Sequence, residues 1–301
     1  MASEKNLINI GLVERQTGIG KDTLRVWERR YGFPIPLRDE HEERVYPEDQ
    51  VNRLCLIKRL LDVGMRPAKV VNLALAELNA LLQGVPKVET ASSNELQVFM
   101  SLIKAHKATE LRLALSRALL GQGLNEFLSK TVGPLNQLVG NDWMRGEIRV
   151  FEEHLYSEQV IHVLRTALGT IRDPSGTPRV LLTTLPGEEH ALGLIMAEAT
   201  LSLHGSYCIA LGVQTPVQDI VLAADAHNVD VVVLSFSIAM PANQIKLGLE
   251  QVRNALPEST AIWVGGAGIA RQRSVPEGVQ VMAAMADLVE AVSQWHIKLK
   301  S

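Results

Sequence analysis

Arg179-Val-Leu-Leu-Thr-Thr-Leu-Pro-Gly-Glu-Glu-His-Ala-Leu-Gly193 is the stretch whose reading decides the fold. It opens on a short continuous apolar run, the pattern of a strand buried on both faces. Leu185-Pro186-Gly187 interrupts that run, and a helical pattern follows. Further downstream, Ser206-Tyr-Cys-Ile-Ala-Leu211, Asp230-Val-Val-Val-Leu-Ser235 and Thr260-Ala-Ile-Trp-Val264 are runs of the same kind. Each but the last is followed by a helical pattern. A short strand at Val279–Met282 and a helix over Met285–Lys298 complete an α/β, doubly wound, parallel-sheet domain. Such sheets bind ligands beyond the carboxyl ends of their strands. Glu188, His190 and Gly193 follow the first strand, Ser235 and Ser237 the third, and Gly265 and Gly266 the fourth, so all lie at one edge. His190 offers an imidazole to a metal. The serines offer hydroxyls to a buried polar group, and the glycines allow close backbone approach. A lone histidine after a strand is usually a surface or cap residue; here the case rests on the coincidence of positions.

Upstream the pattern is helical. Leu96, Phe99, Met100 and Ile103, then Leu111, Leu115 and Leu119, recur at helical spacing. Four helices fit between Asn94 and Ile171, with breaks near Lys107, Gly121–Gly123 and Gly146. Gly84-Val-Pro-Lys-Val-Glu-Thr-Ala-Ser-Ser93 has no periodicity and reads as a linker. Asp173-Pro-Ser-Gly-Thr-Pro178 reads as a second. The expected partition is therefore an N-terminal domain over 1–83, a linker over 84–93, a four-helix bundle over 94–172, a linker over 173–178 and the α/β domain over 179–301.

At the N-terminus, Asn9 can cap a short helix over Ile10–Thr17. Gly18-Ile-Gly20 makes a tight turn, and Lys21–Tyr31 makes a second helix. This is helix-turn-helix geometry, with Lys21, Arg25, Arg29 and Arg30 on the second helix. Gly32-Phe-Pro-Ile-Pro36 ends that helix. Arg38 to Tyr46 forms a wing that returns Arg38 and Arg44 toward a phosphate backbone, although Asp39, Glu40, Glu42 and Glu43 dilute its charge. Pro47 is placed at the first turn of the next helix.

Composition narrows the function classes. The chain has 301 residues, 47% hydrophobic and 21% charged, which suits two or three folded domains rather than disorder. The net charge of −3 conceals a cluster of basic residues between Lys21 and Lys69. That points to a local nucleic-acid contact. The two cysteines, Cys55 and Cys208, fall in different modules and imply neither a disulfide framework nor a zinc cluster. The first residues do not read as a signal peptide, and no apolar run reaches transmembrane length. The expected location is the cytoplasm, with no membrane partner.

Thr23-Leu-Arg-Val-Trp-Glu-Arg-Arg-Tyr-Gly-Phe-Pro34, with Arg44-Val-Tyr46 and Leu56-Ile-Lys-Arg-Leu-Leu-Asp-Val-Gly-Met65, resembles the MerR family of winged helix-turn-helix regulators. The resemblance covers about the first seventy-five residues. It implies a dimer on paired half-sites of double-stranded operator DNA, contacted by Arg25, Tyr31, Arg38, Arg44 and Tyr46. From Arg179 onward the chain resembles the cobalamin-binding fold, with its Asp-x-His-x-x-Gly, Ser-x-Leu and Gly-Gly motifs. By that resemblance His190 is the lower axial ligand of cobalt. Two positions depart from the pattern. Glu188 stands in place of Asp, and Ser235-Phe236-Ser237 stands in place of Ser-x-Leu.

Trp143 and Glu153-His154 form a Trp-x9-Glu-His spacing. Alone it would fit a core tryptophan beside a solvated Glu-His pair. Between the other two modules it resembles the light-sensing, cobalamin-binding MerR regulators of the CarH/LitR type. There the helical bundle caps the upper face of adenosylcobalamin, so by resemblance Trp143 stacks over the adenosyl group and Glu153 and His154 hydrogen-bond near it. In that group the residue after the tryptophan is often a histidine that can ligate cobalt after photolysis. Here it is Met144, a soft and weak ligand.

These readings imply a transcription regulator, expected to be a repressor. It is controlled by adenosylcobalamin (methylcobalamin being the other form to consider) and by light, through a change between dimer and tetramer. The competing reading is a MerR-type regulator whose cobalamin-like domain has lost the cofactor and binds a partner protein or another ligand. An enzyme is not expected, since no barrel-sized substrate domain, Cys/His cluster or acid–base pair accompanies the site.

Overall fold

The computed structural model describes residues 7–62, 65–83, 94–171 and 173–299. The expected linker at 84–93 lies outside the described residues. The chain divides into two compact units: Met1–Met100 with Pro134–His154, and Ser101–Gly133 with Leu155–Ser301.

The first unit opens with β1 (Leu7–Asn9), α1 (Ile10–Thr17) and α2 (Lys21–Tyr31), followed by β2 (Leu37–Arg38) and β3 (Arg44–Pro47). Next come α3 (Glu48–Asp62), α4 (Pro67–Val70) and α5 (Leu75–Gln83). Asn9 caps α1 as expected: its Oδ1 accepts from the Leu12 N–H at 2.9 Å. The expected helices and wing are joined by a three-stranded antiparallel sheet in the order β1-β3-β2, of which β1 is not part of the sequence expectation. β1 pairs with the wing strand, Leu7 opposite Pro47 and Asn9 opposite Val45. Pro47 therefore ends a strand, and the helix begins one residue later. Val13, Leu24, Trp27, Tyr46, Leu54 and Ile57 form the centre of its core.

The helical region runs α6 (Asn94–Lys104), α7 (Ala108–Gln122), α8 (Leu124–Glu126), a π-helical turn over Phe127–Val132, α9 (Gly133–Arg145) and α10 (Val150–Leu168). Its breaks fall where the sequence places them, and the unit boundaries lie within α6 and α10 and at the start of α9. Gly146 takes a left-handed φ of 79° just after α9. A helix cannot continue through that conformation, so Trp143 and Glu153 sit on different helices.

The α/β domain alternates β4 (Arg179–Thr183), α11 (Leu192–Leu203), β5 (Tyr207–Gly212), α12 (Val217–Ala226), β6 (Val231–Ser235), α13 (Ala242–Ala255), β7 (Ala261–Gly265), β8 (Val279–Met282) and α14 (Met285–Leu299). A 3₁₀ turn at Ile269–Arg271 stands where the helix after β7 would be. The sheet order is β5-β4-β6-β7-β8, and every described pairing is parallel. Alternate residues of β4 enter opposite layers. Leu181 packs with Ile220 of α12 and Leu249 of α13. Val180 and Leu182 pack with Leu201 of α11 and Val292 of α14. This two-sided burial explains the continuous apolar runs. The chain goes outward from β4 to β5, then crosses back to β6 on the other side. The strand order thus reverses between β4 and β6, and the crevice at their carboxyl ends is the ligand position of such sheets.

Candidate functional site

The loop after β4 is held by backbone-like contacts from one side chain. Thr184 Oγ1 donates to the Glu188 carbonyl at 2.7 Å and accepts the Gln214 N–H at 2.8 Å. The Glu188 side chain is consequently carried inward and is 1% exposed. Its Oε1 accepts the His190 backbone N–H at 3.0 Å and meets His190 Nδ1 at 2.7 Å. Its Oε2 accepts the Ser237 backbone N–H at 2.7 Å, across the β4/β6 crevice. Burial pushes this carboxyl upward, but the His190 side chain, the His190 and Ser237 N–H groups and the His190 charge together hold it below its ordinary value. An ionised carboxylate only accepts, so Nδ1 carries a proton, and in the neutral imidazole Nε2 then holds the lone pair. The imidazole is thereby fixed in the tautomer a metal ligand needs, with its side chain 53% exposed.

The remaining positions at this edge are tightly packed. A Cβ on Gly193 would stand 2.9 Å from Ser235 Oγ. Phe236 N–H donates to the Gly265 carbonyl at 2.9 Å, and Gly268 N–H to the Phe236 carbonyl at 3.0 Å. The structure thus gathers Glu188, His190, Gly193, Ser235, Ser237, Gly265 and Gly266 at the ends of β4, β6 and β7. Between α10, the start of α11 and the end of β5, a cavity of about 510 Å³ is lined by Ala191, Leu194, Glu198, Gly212, Ile161 and Arg165, among others.

Trp143 and Met144 lie in the last turn of α9, in the first unit, with Glu153 and His154 near the start of α10. His154 Nδ1 meets Glu153 Oε2 at 2.7 Å, with the two side chains 68% and 25% exposed. Neighbouring contacts order this corner. Arg149 N–H donates to Glu152 Oε2 at 2.7 Å, and Arg145 pairs with Asp142 and Glu147.

In the helix-turn-helix, Lys21, Arg25, Arg29 and Arg30 are exposed on α2, and Arg30 lies over the Tyr31 ring. Arg38 is exposed on the wing and donates to the Glu42 carbonyl. Tyr46 needs correcting as a DNA contact. It is 0% exposed, and its hydroxyl donates to Glu28 Oε1 at 2.6 Å. Tyr46 packs in the core of this domain beside Leu24 and Trp27. Arg44 Nε donates to the other Glu28 oxygen at 3.1 Å. Glu28, which the sequence reading passed over, therefore ties the wing to α2.

The chain matches the MerR HTH family regulatory protein family over residues 8–77 and the B12 binding domain over residues 178–292. The chain joins a MerR-type helix-turn-helix to a B12-binding domain. It is homologous to two transcriptional repressors of Myxococcus xanthus. HTH-type transcriptional repressor CarH is 29% identical over 279 residues, 90% of this chain and 93% of that protein. HTH-type transcriptional repressor CarA is 29% identical over 263 residues, 87% of each. Among solved structures, the Methanosarcina barkeri monomethylamine corrinoid protein aligns with a TM-score of 0.52 at 17% identity, over 65% of this chain and 96% of that one. That likeness shows the α/β fold.

The B12 domain's residues fit a corrinoid on chemical grounds. Among the described residues no group of three or more His, Cys, Asp or Glu side chains is placed to hold a metal ion. One oriented imidazole is a donor set for a metal that brings its own equatorial ligands. In the MerR domain, Glu28→Ala should lower unfolding stability by about 1–3 kcal/mol, because the Tyr46 hydroxyl would be buried without an acceptor. Urea unfolding of Glu28→Ala beside wild type tests this, and a change below about 0.5 kcal/mol, the usual size of surface effects, would remove Glu28 from the wing's support.

Proposed function

We propose that this chain is a transcriptional repressor gated by adenosylcobalamin. The observation that carries the proposal is the buried Glu188 carboxylate, which holds His190 Nδ1 and the Ser237 N–H together at the β4/β6 crevice. His190, oriented by Glu188, would hold the cobalt through its other ring nitrogen. Gly193, Ser235, Ser237, Gly265 and Gly266 would line the path of the nucleotide tail. Trp143, Glu153 and His154 would contact the adenosyl group, as the spacing's resemblance implies. Adenosylcobalamin would supply a light-labile cobalt–carbon bond, which makes light a second input. Met144, next to Trp143, would offer only a thioether, a weak donor to cobalt. Cofactor occupancy changes the oligomer between dimer and tetramer and so sets DNA affinity by linkage.

The MerR domain binds operator DNA through Lys21, Arg25, Arg29, Arg30, Tyr31, Arg38 and Arg44. Most of these meet phosphates, so affinity should fall about 10³-fold or more between roughly 50 and 200 mM salt. A fluorescence-anisotropy titration across that range checks it, and a flat response would exclude this mode of docking.

The deciding experiment is an absorbance spectrum after dark incubation with adenosylcobalamin and desalting, repeated after green light and paired with oligomer mass. Retained colour, lost in His190→Ala, supports the cofactor site. A colour and mass change on illumination supports the light input. No retained colour in wild type would instead leave a regulator that answers to a partner protein or another ligand.

A further inference from the structure

Arg59, near the carboxyl end of α3, is 9% exposed. Its guanidinium carbon lies 5.8 Å from the centroid of the Trp143 ring. No acidic side chain forms an ion pair with it among the described residues. This is unusual company for a buried charge, which is normally paired or hydrogen-bonded. Burial pulls the guanidinium below its ordinary value, Cys55 opposes that and Arg149 adds to it. Among the described residues, the Trp143 ring is a favourable partner for this charge.

A second observation concerns the seat itself. A Cβ on Gly146 would stand 2.5 Å from Arg59 Nη1 and 3.6 Å from its Cζ. The left-handed turn at Gly146 therefore breaks the helix and also leaves the space into which the guanidinium fits. All three residues belong to the same compact unit. Arg53, six residues earlier on the same helix, shows the contrast. Its guanidinium stacks on Phe33 at 4.1 Å and donates to the Val71 carbonyl, both inside the helix-turn-helix domain. Arg59 alone of the two reaches out of that domain to the α9–α10 corner.

We infer that Arg59 is a positioning residue that couples the Trp143–Gly146 corner to the DNA-binding domain. α3 follows directly from β3, so the wing strand and Arg59 are at opposite ends of one rigid element. A change in the Trp143 ring shifts what holds the far end of α3, and small helix shifts of this kind are a common way to relay a binding event. The identity of the signal rests on the proposed function, in which Trp143 covers the cofactor; the contact itself does not.

The test uses the full chain and hydrogen exchange of the α3 amides. Without cobalamin, Arg59→Met and Trp143→Ala should each speed exchange in the last two turns of α3 by roughly tenfold, within the usual range of coupling between sites. The double variant should be no faster than either, because both remove one contact. Arg59→Lys, which keeps a cation over the ring, should restore most of the protection. With adenosylcobalamin, the wild-type α3 should change its exchange, while Arg59→Met should keep the bound colour and lose that response. Independent, multiplying effects in the double variant would overturn the inference, as would an Arg59→Met α3 that still answers the cofactor like wild type. A wild-type chain that retains no cobalamin would sink the cofactor reading only, and the ligand-free cycle would still decide the role of Arg59.

Discussion

Glu188→Ala should weaken cobalamin retention by about 10- to 100-fold, the usual effect of removing the group that orients a metal-ligating histidine. The physical reason is that one carboxylate does two jobs. Through Oε1 it fixes the tautomer and direction of His190, and through Oε2 it closes the crevice by accepting the Ser237 N–H. Alanine releases the imidazole to other rotamers. It also leaves a part-buried N–H without its acceptor, at about 1–3 kcal/mol. Glu188→Gln separates the two jobs. A glutamine oxygen can still accept from Nδ1, but its amide then faces the Ser237 N–H donor to donor. Gln should therefore keep more of the affinity than Ala while losing a comparable amount of stability. Equilibrium dialysis with adenosylcobalamin, beside urea unfolding of each variant, reads the two effects apart. If Ala binds as wild type does, the carboxylate does not orient the ligand and the site assignment at His190 loses its support.

The departure from Asp at this position now has a structural account. The longer Glu188 chain still places a carboxylate on His190, while its position at 1% exposure depends on the turn stapled by Thr184. Thr184 was invisible as a functional residue, because nothing local marks a hydroxyl that bonds across to Gln214. The same distinction separates what the chain discloses from what it does not. Helices α1 and α2 fall on their expected bounds, since an Asn cap and glycine stops are local signals. The four apolar runs become strands because burial on both faces leaves its mark in each residue. β1 was missed: three residues that pair with the distant wing carry no periodicity to count. Tyr46 was assigned to DNA by resemblance, whereas pairing of β3 with β1 and β2 decides which way its side chain turns. Arg59 and Glu28 likewise look like ordinary charges on helix faces. Their partners, Trp143 and the wing, come from elsewhere in the chain.

The largest loss of stability is expected at Gly266. The sequence treats Gly265-Gly266 as a pair that admits a ligand, but the two residues face different neighbours. Gly265 has ordinary strand geometry, and a Cβ there would meet the Met282 carbonyl oxygen at 3.2 Å. That clash is relieved by a shift of a few tenths of an ångström in the edge strand. Gly266 sits at φ 98° in the left-handed region, and a Cβ there would run into the carbonyl oxygen, carbonyl carbon and nitrogen of Phe236. Those atoms cannot move independently. Phe236 is 0% exposed, its N–H bonds Gly265 and its carbonyl accepts from Gly268. Alanine at 266 therefore meets both a backbone penalty of about 1–2 kcal/mol and a clash with fixed main chain of about 1–3 kcal/mol. Gly266→Ala should destabilise the B12 domain by about 3 kcal/mol or more, against about 1 kcal/mol for Gly265→Ala, within the range of ordinary single substitutions. Urea unfolding of each variant beside wild type measures the two losses. Equal losses at the two positions would mean that the β6–β7 junction is more pliable than its hydrogen bonds imply. A small loss at 266 with cofactor binding abolished would mean that this glycine serves close approach of the ligand to the backbone.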